Sequence, residues 1–169
     1  MPQHGLSSIP DRLQAAVQFI AAESVSLEDA WWIIGSSAAF FSGLQHPMPN
    51  DVDLLVSARD ARRLFAQWQV KPTEPAPSKL FRSLFGIHSL RTIDIEIMGD
   101  LEIFADGEWQ RLEPKTRERV ATEAGCLFVP ARGEQISILR LFGRPKDMAR
   151  ADALEMIPQP SALGAKFPG

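Results

Sequence analysis

Cysteine is nearly missing from this 169-residue chain; Cys126, in the run CLFVP, is the single copy. One thiol makes no internal disulfide, and an apolar, strand-like setting suits a core role in a reducing compartment. Histidine is scarce as well. His4, His46 and His88 never fall at metal-ligand spacing, which argues against a zinc site. No apolar run approaches the ~18 residues of a membrane span. The start, MPQHGLSSIPDRLQ, has no basic segment leading into an apolar one. The expected location is therefore the cytoplasm, with no membrane partner. An excess of positive charge is also absent: the formal net charge is -3 and the pI near 5.6. That balance argues against extended nucleic-acid binding and leaves room for a local basic site. There is no repeat of solenoid period and no long low-complexity tract.

What remains is ordinary for a globular protein, with 45% apolar and 23% charged residues. The length suits a single domain with a full core, expected over residues 1–157, followed by a loose tail, 158–169. The one compositional break is KPTEPAPSK, residues 71–79, which reads as a loop inside the domain.

Apolar spacing predicts a first helix in PDRLQAAVQFIAAES, through Leu13, Val17, Ile20 and Ala21. AWWIIG reads as a short buried strand, with SSAAFFSGL as a helix directly after it. NDVDLLVS alternates Asp51, Asp53 and Leu55 against Val52, Leu54 and Val56, so one face is wholly apolar and the other opens with two acids. ARDARRLFAQWQ returns to helical spacing. KLFRSLFGIHSLRTIDIEIMG reads as two strands turning near His88 and Ser89, the second alternating Ile93, Ile95 and Ile97 against Asp94, Glu96 and Met98. Asp106-Gly107 signals a hairpin. GCLFVP is another strand, RGEQISILRLFG a helix closed by Gly143, and RPKDMARADALEMI a last helix with Pro145 in its first turn. The fold class expected is α/β (α+β), a mixed β-sheet flanked by helices.

Two acids on one strand face repel each other unless a cation or solvent answers them. If the strands are neighbours, Asp51 and Asp53 share a face that Asp94 can join, and clustered carboxylates suit Mg2+ or Mn2+. Gly35 permits close backbone approach, while a helix starting near Ser36 and Ser37 offers free amides to an anion. Each piece also has a plainer reading. The aspartates can be a solvated strand mouth, Gly35-Ser36 a tight turn with a serine cap, and Asp94 and Glu96 the wet face of a half-buried strand. GRPKD can be helix punctuation, His46 a surface-loop residue, and Trp31 and Trp32 packing rather than a base-stacking platform. Either Asp94 or Glu96 can be the third carboxylate.

Together, an apolar residue followed by Gly35-Ser36, then Asp51-x-Asp53 in an apolar strand, then Asp94 on a later strand resembles the nucleotidyltransferase superfamily, the DNA polymerase beta-like fold. ILRLFGRPKDMARADAL also looks like the C-terminal helices of small bacterial nucleotidyltransferase-like proteins related to AbiEii and to the minimal nucleotidyltransferases of toxin-antitoxin pairs. The resemblance implies transfer of a nucleoside monophosphate from a nucleoside triphosphate, such as ATP, to an acceptor hydroxyl on an RNA end, a protein or a small molecule. It implies that Asp51, Asp53 and Asp94 are catalytic and hold Mg2+ or Mn2+. Gly35, Ser36, Ser37 and Lys146 would bind the nucleotide, with Arg144 as an alternative phosphate contact. Asp94 is preferred over Glu96 because it matches the family's apolar-Asp-apolar form. The other implied reading is a catalytically silent binding or regulatory protein of the same fold, half of a toxin-antitoxin pair with a small helical protein partner.

Overall fold

The computed structural model describes residues 9–73 and 78–158. His4, residues 74–77 of the proline-rich loop and residues 159–169 of the tail lie outside the described residues.

Helix α1 (Asp11–Glu23) precedes strand β1 (Trp32–Ile34), which runs straight into α2 (Gly35–Phe41). Then follow β2 (Asp51–Val56), α3 (Ala58–Trp68), β3 (Phe81–Ser89), β4 (Asp94–Ala105) and β5 (Glu108–Arg111). A hairpin of β6 (Glu118–Thr122) and β7 (Gly125–Val129) leads to α4 (Arg132–Phe142) and α5 (Pro145–Met156). The main sheet has the order β1-β2-β4-β3, with β5 pairing the far half of β4. It is mixed, as expected: β2 and β4 are parallel, and every other pair is antiparallel. Among the described residues, no helix is long and apolar enough to cross a membrane.

Alternation in β2 and β4 divides the sheet into two faces. Val52, Leu54, Val56, Ile95 and Ile97 pack against Leu13, Ala16, Val17 and Ile20 of α1 and Ala61, Leu64 and Phe65 of α3, all buried. Full burial of a leucine or isoleucine stabilises by about 1.5–3 kcal/mol, so this face carries most of the fold's hydrophobic stabilisation. The opposite face is apolar only at one end, where Ile34, Leu55, Leu101 and Ile103 meet Ile138 and Phe142 of α4. Behind them Ala39, Leu139, Ala151 and Leu154 bind α2, α4 and α5 together.

Two differences from the sequence pattern have local causes. The apolar piece LEIFA is not a separate strand: β4 continues through Gly99 and through Asp100, which takes a positive φ of 50°. A Cβ on Gly99 would stand 2.7 Å from that of Ala61, so glycine lets α3 lie close without ending the strand. The expected hairpin follows, with Asp106 and Gly107 both at positive φ. Strand β6 was not foreseen because ERVAT is mostly polar; only Val120, packed against the core, and the pairing with β7 define it.

Helix α3 has a less visible anchor. Ser57 caps it by accepting from the Asp60 amide, and Asp60, 1% exposed, accepts from the Glu28 and Asp29 amides at 2.8–3.2 Å. The carboxylate also sits favourably at the positive end of the helix. This bond set fixes the approach to β1 against the start of α3. Asp60→Ala strands two loop amides and is expected to cost roughly 2–4 kcal/mol of stability, read by urea unfolding. Asp60→Asn, which keeps one accepting oxygen, should lose less.

Candidate functional site

The antiparallel register sets Ile34 of β1 opposite Asp53 of β2, so the chain turns into α2 directly above that aspartate. Gly35 makes the turn at φ +68°, and a Cβ there would lie 2.6 Å from an Asp53 carboxylate oxygen. Glycine is thus required twice, for the backbone conformation and for the space. Ser37, fully buried, donates its hydroxyl to the Asp51 carbonyl at 2.7 Å and so ties α2 to the first residue of β2. Ser36 is half-buried, and no side chain caps the first turn of α2, whose amides are therefore left unsatisfied by the helix itself.

The parallel register between β2 and β4 pairs Asp51 with Asp94 and Asp53 with Glu96. Carboxylate oxygens of Asp51, Asp53 and Glu96 lie within 4.8 Å of one another. Asp94 belongs to the same strand face, but it is the exposed first residue of β4 and stands outside that trio. The structure therefore brings together two of the three acids favoured from sequence, with Glu96, the alternative, as the third.

The electrostatics of the trio are unfavourable without a cation. Burial, followed by the charges of Asp51 and Glu96, pushes the Asp53 carboxyl well above its ordinary range, against the weaker opposing pull of Arg144. Glu96 is pushed up too, by burial first and then by Asp51 and Asp94; its hydrogen bond to Asp53 and the charge of Lys146 act the other way. The hydrogen bond between Asp53 and Glu96 acts in opposite directions, raising Asp53 and lowering Glu96. Three hard oxygen donors at this spacing, each raised or crowded by the others, fit a small divalent cation such as Mg2+ or Mn2+. Among the described residues no histidine or thiol joins them. His88 is stacked on Phe19 at 4.7 Å and beside Trp68, where burial pushes its imidazole down. Cys126 is half-buried with the Arg119 guanidinium 2.9–3.2 Å from its sulfur. His46 is exposed on the loop before β2.

Two basic side chains act on the acids through their charge. Lys146 is exposed and its charge reaches Glu96; Arg144 is half-buried and its charge reaches Asp53. Both belong to the turn between α4 and α5, where Gly143 takes φ 70° and Pro145 opens α5, so the punctuation reading of GRPKD is realised as well. The sequence reading missed that Asp147 is buried beneath this turn, 1% exposed, since an aspartate in a first helical turn is usually wet. A separate cavity of about 320 Å³ lies at the other end of β2, bordered by Trp32, Leu55, Ser57, Asp100, Arg111 and Lys115, and does not include the acids. Trp31 is buried against Phe128, and the Trp32 indole donates to the Thr116 carbonyl, so both are occupied in packing.

No family model and no curated protein matches the chain by sequence. Two solved structures match by shape. One is a candidate nucleotidyltransferase, TM1012, from Thermotoga maritima, with a TM-score of 0.71, 20% identity, and coverage of 90% of this chain and 96% of that one. The other is the lincosamide antibiotic adenylyltransferase LnuA in its lincomycin-bound form, with a TM-score of 0.56, 12% identity, and coverage of 89% and 98%. The mixed sheet and its flanking helices thus form a nucleotidyltransferase-type fold.

Proposed function

We propose that the protein is a divalent-metal-dependent nucleotidyltransferase that moves a nucleoside monophosphate from a nucleoside triphosphate to an acceptor hydroxyl. The observation that carries this reading is the meeting of Asp51, Asp53 and Glu96 under Gly35, within a fold shared with nucleotidyltransferase structures. Fold alone would not suffice, since one fold hosts many activities.

In this reading the acceptor oxygen attacks the α-phosphorus, a new phosphorus–oxygen bond forms, the bond to the bridging oxygen of the β-phosphate breaks, and pyrophosphate departs. The acceptor proton passes to a carboxylate. Asp94, open to solvent beside Asp51, is the base in reach of an incoming hydroxyl. Asp51, Asp53 and Glu96 would hold Mg2+ or Mn2+, which when bound offsets their charge and that of the phosphates. Ser36 and the amides at the start of α2 receive phosphate oxygens, and Lys146 adds positive charge at the rim. Ser37 serves indirectly, by fixing Asp51. For the acceptor, a small molecule is favoured over a long nucleic acid, because LnuA acts on an antibiotic and this chain carries net negative charge.

Incubation with labelled triphosphates, Mg2+ and hydroxyl acceptors tests the reading. Transfer is expected to fall by about 10²–10³ in Glu96→Gln, the size of effect seen when one charge-stabilising group is lost from an active site. Asp53→Ala should abolish both transfer and Mn2+ binding measured by electron paramagnetic resonance. Asp94→Asn should slow transfer while leaving Mn2+ binding intact. Nucleotide binding without transfer in any acceptor series would instead identify a silent, regulatory protein.

Metal-free stability supplies a second test. A carboxyl raised in the folded state binds its proton more tightly there than in the unfolded chain. Its penalty is absent below the unfolded value of about 3.9, grows as pH rises towards the raised folded value, and is complete above it. Asp53→Asn removes an ionisable group and so should melt higher than wild type at pH 8 in EDTA, with the gain shrinking as pH falls towards 4. Saturating Mn2+ should reverse that order, because only the wild type gains binding energy.

A further inference from the structure

The sheet order β1-β2-β4-β3 puts β3 beyond the acids, on the side away from β1 and Gly35. Its antiparallel register with β4 sets Ile87 opposite Glu96 and Ser89 opposite Asp94. Directly opposed residues project from the same face of a sheet, so two rows of side chains cross the acid face. One runs Ile34, Asp53, Glu96, Ile87; the other runs Asp51, Asp94, Ser89. The neighbours of Ile87 along β3 fix which way it points. His88, paired with Ile95, stacks on Phe19 of α1, and a Cβ on Gly86, paired with Ile97, would stand 2.6 Å from the Phe65 ring of α3. Ile87 lies between them and therefore turns to the acids.

The open face of a half-solvated strand is ordinarily polar, yet Ile87 is 41% exposed beside Glu96. A single exposed apolar side chain would need no explanation. Here the next pair on the same face, Phe85 and Met98, is half-buried, so an apolar strip runs along β3 and ends against the acids.

The direction of the reaction points to what covers it. In an in-line displacement at phosphorus the incoming and departing oxygens lie on opposite sides. With the departing phosphates at Ser36 and the start of α2, on the β1 side of Asp53, the acceptor enters from the β3 side. Its hydroxyl meets Asp94 beside Ser89, and its body lies over Ile87, two residues and about 7 Å further along the strand. Neither row holds a basic side chain, so a phosphate on the acceptor finds no opposite charge there.

We propose that Ile87 is a specificity-determining residue of the acceptor site, and that the acceptor is an alcohol carried on an apolar body rather than on a sugar-phosphate chain. The proposal rests on the nucleotidyltransferase reading above and adds to it the class of acceptor. The alcohol oxygen bonds to the α-phosphorus as the bond to the bridging oxygen breaks, pyrophosphate leaves with that electron pair, and the hydroxyl proton passes to Asp94.

The test uses the full chain with 13C-labelled isoleucine methyls, primary alcohols from ethanol to 1-octanol as acceptors, and glycerol as the polar comparison. Ile87→Leu identifies the Ile87 resonance by its loss. Bound Mn2+ should broaden that resonance, because two strand spacings set Ile87 about 10 Å from the acids of β2. In the Mg2+-loaded protein 1-hexanol should shift it and glycerol should not. In transfer from labelled ATP, kcat/KM should rise along the alcohol series by up to about fourfold per methylene. Ile87→Asn should flatten that rise and increase KM for 1-hexanol by about 10-fold, with Mn2+ binding and melting temperature as in wild type. Ile87→Leu should keep the rise. A wild type that binds Mn2+ but shows no Ile87 shift with 1-hexanol, or that transfers to glycerol as well as to 1-hexanol, overturns this inference alone. A wild-type dimer that Ile87→Asn dissociates also overturns it, since the strip would then be a contact between copies. A wild type that binds neither Mn2+ nor ATP sinks the functional reading with it.

Discussion

The parallel pairing of β2 with β4 is the contact on which the candidate site depends. It fixes Asp53 opposite Glu96 and Asp51 opposite Asp94, and because side chains alternate along a strand, all four share one face. A slip of one residue would turn the acids of one strand into the core and its isoleucines into water. The apolar residues Val52, Leu54, Ile95 and Ile97 thus specify the position of the carboxylates through their own burial. The hydrophobic face that stabilises the fold is also the device that holds the polar face in register.

This division lets the sheet tolerate an unfavourable cluster. Charges crowded on a small surface destabilise a compact state, and here the raised carboxyls of Asp53 and Glu96 record that cost. The cost is local, because α1 and α3 pack on the other side and α4 covers only the end of the face around Ile34 and Leu55. Gly35 adds the complementary constraint. Its lack of a side chain lets the backbone close over Asp53, and Ser37 then pins the same helix to Asp51.

Much of this was legible in the chain itself. The alternation in DVDLLV and IDIEIM specified both strands and their acidic faces, and Gly143-Arg144-Pro145 specified the break between the last two helices. The choice between Asp94 and Glu96 was not legible. Both lie on the same face by the period-2 rule, and only the depth to which β4 is covered separates an exposed first residue from one held against Asp53. Nor could the sequence distinguish Ser36 from Ser37, since which hydroxyl turns inward depends on where α2 lies over β2. Asp60 and Asp147 were hidden for a related reason: each is an aspartate in a first helical turn, and only tertiary packing decides that it is buried and what it bonds.

The buried Asp147 also bears on why Arg144 does not neutralise the acid cluster. A free arginine beside Asp51 and Asp53 would fold onto them, since a bidentate guanidinium–carboxylate pair is the strongest arrangement available to both. Arg144 has already committed Nε and Nη2 to Asp147, so it acts on Asp53 only through its field. Among the described residues the acids are left without a fixed cationic partner, so their charge is not answered within the fold. Carboxyls raised by burial and by their own crowding gain most from a cation that comes from outside the fold.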